Sequence, residues 1–148
     1  MPQKRTAKAL TSYGVAALQL IANKRLQSQM RDILEDYDLN LTQWLIISRL
    51  REKPDGQRTT DLAHFMHVEV PLITMMVRPL RMRGLITSSV ESLDKREKFL
   101  RMTAQAKAMV EAVEKRLEKR VANLTKDVSW QDLQTYLKVL RSMVASPV

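Results

Sequence analysis

A glycine that ends a helix, followed by two short apolar runs around a charged loop, constrains this chain more than any other feature. The segment reads Arg83-Gly84-Leu85-Ile86, then Asp94-Lys95-Arg96, then Leu100-Arg101-Met102-Thr103. Glycine adopts the left-handed conformation after a last helical turn at no steric cost, so Gly84 marks a helix C-terminus. Leu85 to Val90 and Phe99 to Thr103 are predicted strands, separated by Glu91 to Lys98. The pattern is a β-hairpin with a long charged tip hung behind a helix. An arginine on such a tip can reach a DNA minor groove, whose negative potential attracts it.

The rest of the chain reads as helix. With 148 residues it is one domain's worth of sequence, long enough for its own core. Residues 1–8 hold Lys4, Arg5 and Lys8 without apolar periodicity and are expected to be a flexible basic arm. From Ala9 to about Asp36, Leu10, Val15, Leu18, Ile21, Leu26, Met30, Ile33 and Leu34 recur at helical spacing, with a bend expected near Asn23. Asn40 is a good N-cap for a second helix, Leu41 to Glu52, which carries Trp44, Leu45, Ile47 and Leu50 and stops before Pro54-Asp55-Gly56. Thr59 or Thr60 is expected to cap a third helix, Asp61 to Met66, with Leu62, Ala63 and Phe65 inward.

A fourth helix is predicted over Val70 to Arg83, with Ile73, Met76, Val77 and Leu80 on its inward face. Pro71 fits its first turn, whereas Pro79 removes a donor from the carbonyl of Met75 and is expected to bend the last turn. After the hairpin, Ala104 to Leu124 carries Met109, Val113, Leu117, Val121 and Leu124 along one stripe. Ser129-Trp130-Gln131-Asp132, a capping-box variant, opens a last helix to about Val144. The predicted fold is mainly α with a small hairpin wing.

Composition narrows the function. There is no cysteine, which excludes disulfides and thiolate sites, and three glycines leave little for phosphate-cradling loops. His64 and His67 have no accompanying carboxylate or cysteine cluster, so no metal or cofactor is expected. No nucleophile, base and orienter set is visible, which argues against an enzyme. The apolar runs fall short of a membrane span and no signal-peptide pattern opens the chain, so it reads as cytoplasmic. The net charge of +9, from 25 Lys and Arg against 16 Asp and Glu, suits a polyanionic partner, although basic solubility alone gives the same balance.

The third and fourth helices, joined by a tight turn, form a helix-turn-helix unit. With the spacing from Gly84-Leu85-Ile86 to Asp94, Arg96 and Thr103, the chain resembles MarR-type winged helix-turn-helix regulators. Leu39, Asn40, Gln43 and Trp44 match the family's Leu-Thr-x-x-Gln-aromatic start, with Asn replacing Thr. Asp61-Leu62-Ala63 matches its Glu-Leu-Ala, and Val68 to Thr74 matches the turn into the reading helix in a form closest to the SlyA-like branch. Leu80, Gly84 and Leu85 close that helix in register, and the match runs without a gap over about residues 39 to 106.

The resemblance implies a winged helix-turn-helix over residues 39–103, flanked by dimerisation helices at 9–37 and 104–148, in one 148-residue unit. It implies double-stranded DNA and a second copy of the chain as partners, with a small-molecule effector, often phenolic, where dimer helices meet the reading unit. The candidate DNA contacts are Thr60, Val70, Pro71, Leu72, Thr74, Met75 and Arg78. On the wing they are Asp94, Lys95, Arg96 and Lys98, with Arg96 entering the minor groove and Asp94 fixing the loop. Without that resemblance a charged hairpin tip is simply solvated. Tyr37 and Trp44 are the candidate ligand contacts, with core packing the commoner fate for Trp44. Arg78, Arg81 and Arg83 are expected outward on the fourth helix, as DNA contacts or as cations near a helix C-terminus. The expected role is that of a repressor relieved by its ligand, in a family that also contains activators. Cysteine-based oxidant sensing, present in some of its members, is excluded.

The chain departs from the family pattern on its reading face, where Glu69, Val70, Leu72 and Met75 replace the usual small polar residues and arginines. Such a face suits thymine methyl groups and offers few donors for guanine. Ser88 and Ser89 stand where an arginine is common, which shifts specificity toward the wing and DNA shape. The rival class is a helical dimer that binds a small molecule or protein and has lost specific DNA reading. Salt dependence separates the two, because phosphate contacts release counterions.

Overall fold

The computed structural model describes residues 13–89 and 98–147, and these form six α-helices and three short strands. A π-helical turn, Tyr13–Ala17, leads into α1 (Leu18–Glu35), so the first long helix is not uniform as its periodicity suggests. There follow α2 (Leu41–Glu52), β1 (Gln57–Arg58), α3 (Thr59–Met66), α4 (Val70–Met82), β2 (Ile86–Ser89), β3 (Phe99–Met102), α5 (Ala106–Leu124) and α6 (Trp130–Ala145).

Helix ends follow from local chemistry. Asn40 caps α2 as expected: its Oδ1 accepts from the Gln43 N–H at 2.8 Å, while Gln43 Oε1 accepts from the Asn40 N–H at 3.1 Å. This is a full capping box. Three helices end in the same hydrogen-bonded reversal, with Asp38, His67 and Gly84 in the left-handed region at φ 53°, 54° and 72°. In each the residue after it donates to the carbonyl five positions back: Leu39 to Leu34, Val68 to Ala63, and Leu85 to Leu80. These bonds satisfy carbonyls that a helix end otherwise orphans. α4 remains helical through Pro79 to Met82.

The hairpin is shorter than its sequence pattern, and a third strand joins it. β3 pairs antiparallel with β2, Ile86 opposite Met102 and Ser89 opposite Phe99, and on its other edge with β1. Two residues, Gln57 and Arg58, are too few for any alternation to show in sequence. Gly56 enters β1 at φ +95°, and a Cβ there would meet the Phe99 ring at 2.5 Å.

The core gathers the apolar faces of every helix but one. Ile33 and Leu34 of α1 meet Trp44, Ile46, Ile47 and Leu50 of α2, Leu62 of α3, and Ile73, Val77 and Leu80 of α4. Leu85, Ile86, Leu100 and, from α5, Ala106, Val110, Val113 and Leu117 complete it. Val121 and Leu124, expected on the same α5 stripe, are exposed; Leu117 is the last buried residue of α5. Phe65, expected inward, is also exposed, and the Arg49 guanidinium stacks on its ring at 3.9 Å. The expected Thr59 or Thr60 cap is absent. Arg58 is the N-cap residue of α3, Thr59 lies inside the helix, and its hydroxyl donates to the Lys98 carbonyl at 3.3 Å. No described residue of α6 is buried.

α1 and α5 are also tied by exposed ion pairs, Arg116 to Asp36 at 2.7 Å and Arg120 to Asp32 at 3.2 Å. Partial desolvation raises the Asp32 pKa, but the hydrogen bond and charge of Arg120 together with backbone N–H donors lower it by more, so Asp32 titrates below its ordinary 3.8. A lowered carboxylate pKa adds stability that is complete above the ordinary value and lost as pH falls through the folded one.

Two outcomes are expected. Gly56→Ala should destabilise the chain by about 1–3 kcal/mol in urea unfolding, since alanine there is strained and clashes with Phe99. Arg120→Ala should flatten the stability profile in the acid range below the ordinary carboxylate pKa and leave its shape near neutral pH unchanged.

Candidate nucleic-acid interface

α3 and α4 are separated by His67, Val68 and Glu69. The left-handed His67 turns the chain sharply enough for α4 to start at once, and Pro71 occupies the first turn, where its missing N–H costs nothing. Ile73, Val77 and Leu80 anchor the inner face of α4 in the core. At 3.6 residues per turn this leaves Val70, Pro71, Thr74, Met75 and Arg78 together on the opposite face, lining an open depression of about 500 Å³. Val70 is 38% and Met75 59% exposed. The Thr74 hydroxyl donates to the Val70 carbonyl at 3.2 Å, inside the helix.

Leu72 does not belong to this surface. It is half-buried, on a flank of α4 away from the depression, because the helical period carries it past the exposed arc. Thr60 is exposed on the first turn of α3. A second cleft of about 170 Å³ lies between α4 and the sheet, where Arg78, Arg81 and Lys98 converge with Thr59, Thr74 and Ser88. Arg81 and Ser88 thus join the candidate surface through the hairpin's packing against α4. Asp94, Lys95 and Arg96 lie outside the described residues.

Arg83 faces the other way. Its guanidinium donates to the carbonyls of Asp38 at 2.9 Å and Tyr37 at 2.8 Å, in the turn between α1 and α2. A planar guanidinium suits two neighbouring carbonyls, and this use takes Arg83 out of the expected outward row. Gln43 adds a second tie, its Nε2 donating to the Met76 carbonyl at 3.3 Å, while Asn40 Nδ2 reaches Met76 Sδ at 3.4 Å. The α2 cap therefore also holds α4. The capping box is readable in sequence, but its reach to Met76 is not.

The two candidate ligand residues separate. Trp44 is 4% exposed and packed in the core, so it presents no free face. Tyr37 is half-buried beneath the Arg116 guanidinium, 5.6 Å from its ring centre. Nearby, Arg116, Lys119, Arg120 and Asn123 of α5, with Lys126 just beyond its end, line an open depression of about 780 Å³. The His64 and His67 rings stand 6.3 Å apart. Among the described residues no group of three or more His, Cys, Asp or Glu could hold a metal ion, and no helix is long and apolar enough to cross a membrane.

Arg83→Ala should lower stability by about 1–3 kcal/mol and raise hydrogen exchange in the 37–43 segment, since two charge-assisted bonds are lost. Arg78→Ala, on an open face, should leave both within error.

Comparison with known proteins agrees with this geometry. Residues 39–98 match the model of the MarR family. A MarR-family transcriptional regulator from Rhodococcus sp. RHA1 superposes with a TM-score of 0.82 at 15% identity, over 90% of this chain and 94% of that one. NadR in complex with 4-hydroxyphenylacetate gives 0.80 at 23% identity, over 99% and 100%. The MepR–DNA complex of S. aureus gives 0.72 at 21%, over 90% and 98%. Residues 39–98 thus match the MarR family, in a chain that has the winged-helix fold of MarR-family regulators.

Proposed function

We propose that this chain is a homodimeric, sequence-specific DNA-binding transcriptional regulator of the cytoplasm, nearest the SlyA-like branch of the MarR family, acting as a repressor that a small ligand relieves. The observation that carries this reading is the α4 face. It is solvent-open, preceded by a three-residue turn, and flanked by the converging Arg78, Arg81 and Lys98. An α-helix of this kind fits a DNA major groove, and the neighbouring cations suit phosphate. The fold shared with MepR, solved bound to DNA, supports it.

In this reading Thr60 and the α4 face contact DNA, with Arg78 reaching base or phosphate and Lys98 phosphate. Arg96 enters the minor groove, held in register by Asp94 and assisted by Lys95. The dimer forms through the helices at both ends. Leu18, Leu20 and Ile21 of α1 and Trp130, Leu137, Val139 and Val144 of α6 are all exposed apolar residues without cover in one chain. Two heads held by one interface place their reading helices at a fixed spacing, about one DNA turn apart.

The effector in this reading is a small aromatic acid. The Arg116, Lys119, Arg120 and Lys126 depression has the charge for a carboxylate, and Tyr37 beside it has an aromatic face; NadR, which shares the fold, was solved with 4-hydroxyphenylacetate. A ligand that prefers a dimer with wrongly spaced heads lowers DNA affinity by its differential binding to the two states. The open apolar face of α4 also favours a second reading, in which it docks a protein rather than DNA.

Selection of duplexes from random DNA, followed by affinity measurement over a salt series, separates these. A regulator should show log affinity falling steeply with log salt, whereas a selected duplex whose binding ignores salt would favour the protein-docking reading. Arg96→Ala should weaken binding to the selected operator by about 1–3 kcal/mol, more than Lys4→Ala or Arg5→Ala. Equal affinity of the wild type and Arg96→Ala would remove the wing from the reading.

A further inference from the structure

The N-terminal half of α4 is short of hydrogen-bond donors in a way that dictates what it can read. Val70 and Met75 present only aliphatic and thioether surface, and Pro71 has no N–H. Thr74 is the one side chain between them with a donor, and that donor is spent on the Val70 carbonyl, which leaves a methyl group and an acceptor. Glu69, the N-cap residue, bonds no backbone N–H of α4 with its side chain and is exposed; as a carboxylate it accepts only. Guanine presents two acceptors, O6 and N7, to the major groove, so this surface has nothing to offer it. Thymine alone presents a methyl group there.

Resting on the DNA-binding reading above, we infer that Val70, Met75 and the Thr74 methyl bury the 5-methyl groups of thymines in each half-site, leaving Arg78 as the guanidinium on that face for a guanine. Glu69 then faces the amino group of a cytosine beside the thymine step. The net charge of +9 and, in the adjoining cleft, Arg81 and Lys98 supply the attraction to phosphate that an apolar face lacks. Specificity and affinity thus come from different sides of α4. The operator's thymine content at these steps follows from methyl burial rather than from base hydrogen bonding.

The test replaces thymine by uracil, which keeps every hydrogen-bonding group of the base and removes only the methyl. An operator is selected from random duplexes with the full chain, then resynthesised with dU at the major-groove thymines of one or both half-sites. Each buried methyl should contribute about fourfold in affinity, so one position changed in both half-sites should cost about 15-fold. Val70→Ala and Met75→Ala, both at exposed positions, should weaken binding to the thymine operator and make little difference to the uracil one. That loss of the mutational effect separates methyl contact from any change in duplex shape. A selected operator without thymine at those steps, or one that binds equally well with uracil, overturns the inference and leaves DNA binding standing. Failure to select any duplex overturns both.

Discussion

The last turn of α4 is fastened to three other parts of the chain within a few residues. Leu80 and Arg81 close the helix through the N–H groups of Leu85 and Gly84. Arg83 crosses to the Tyr37 and Asp38 carbonyls, and Thr103, at the end of β3, donates its hydroxyl to the Gly84 carbonyl at 2.6 Å and its N–H to that of Leu85. The same Thr103 hydroxyl accepts from the Ala106 N–H at 3.2 Å, which starts α5. One helix end thereby fixes the hairpin, the long C-terminal helix and the junction of α1 with α2. Charge-assisted bonds to backbone carbonyls are among the stronger polar contacts available at a half-exposed site.

In the proposed regulator that arrangement matters because α4 would have to be rigid where it reads and answerable to the helices that set its spacing. Its inner face is locked by Ile73, Val77 and Leu80, while Gln43 and Arg83 connect its flank to the α1–α2 junction. A change in how α1 and α5 pack would be carried to α4 through these bonds rather than through the exposed face. The ion pairs of Arg116 and Arg120 lie beside the basic depression on α5. An anion bound there would compete with Asp36 and Asp32 for the same guanidinium groups. In the proposed regulator this competition would link effector to reading head, since surface pairs of this kind are weak enough to exchange.

Much of this was legible in the sequence because the signals were local. The capping box needs only Asn40 and Gln43 three residues apart, the helix stop needs Gly84, and the α4 core face needs an apolar residue at Ile73, Val77 and Leu80. Helical period and backbone stereochemistry act within a few residues, so the elements and most boundaries, from α2 to the inner face of α4, follow from them. The exposed positions of Val70, Met75 and Arg78 follow as well, since fixing the buried arc fixes its opposite.

The remainder depended on which elements meet. β1 has two residues and exists only because β3 offers it an edge, and Phe65 stays outside because Arg49 from α2 covers its ring. Arg83 and Arg78 are alike in sequence, yet one holds the α1–α2 turn and the other lines the open face, because five residues of helix rotate them to different neighbours. Thr59 has the residue type of a cap and instead donates to the Lys98 carbonyl just before β3. Sequence alone determined the helices, their stops and the face that α4 exposes, since those are properties of one turn of chain. Tertiary structure alone decided which polar groups hold the fold and which remain for a partner, since a donor's role is set by the acceptor that packing brings within about 3 Å of it.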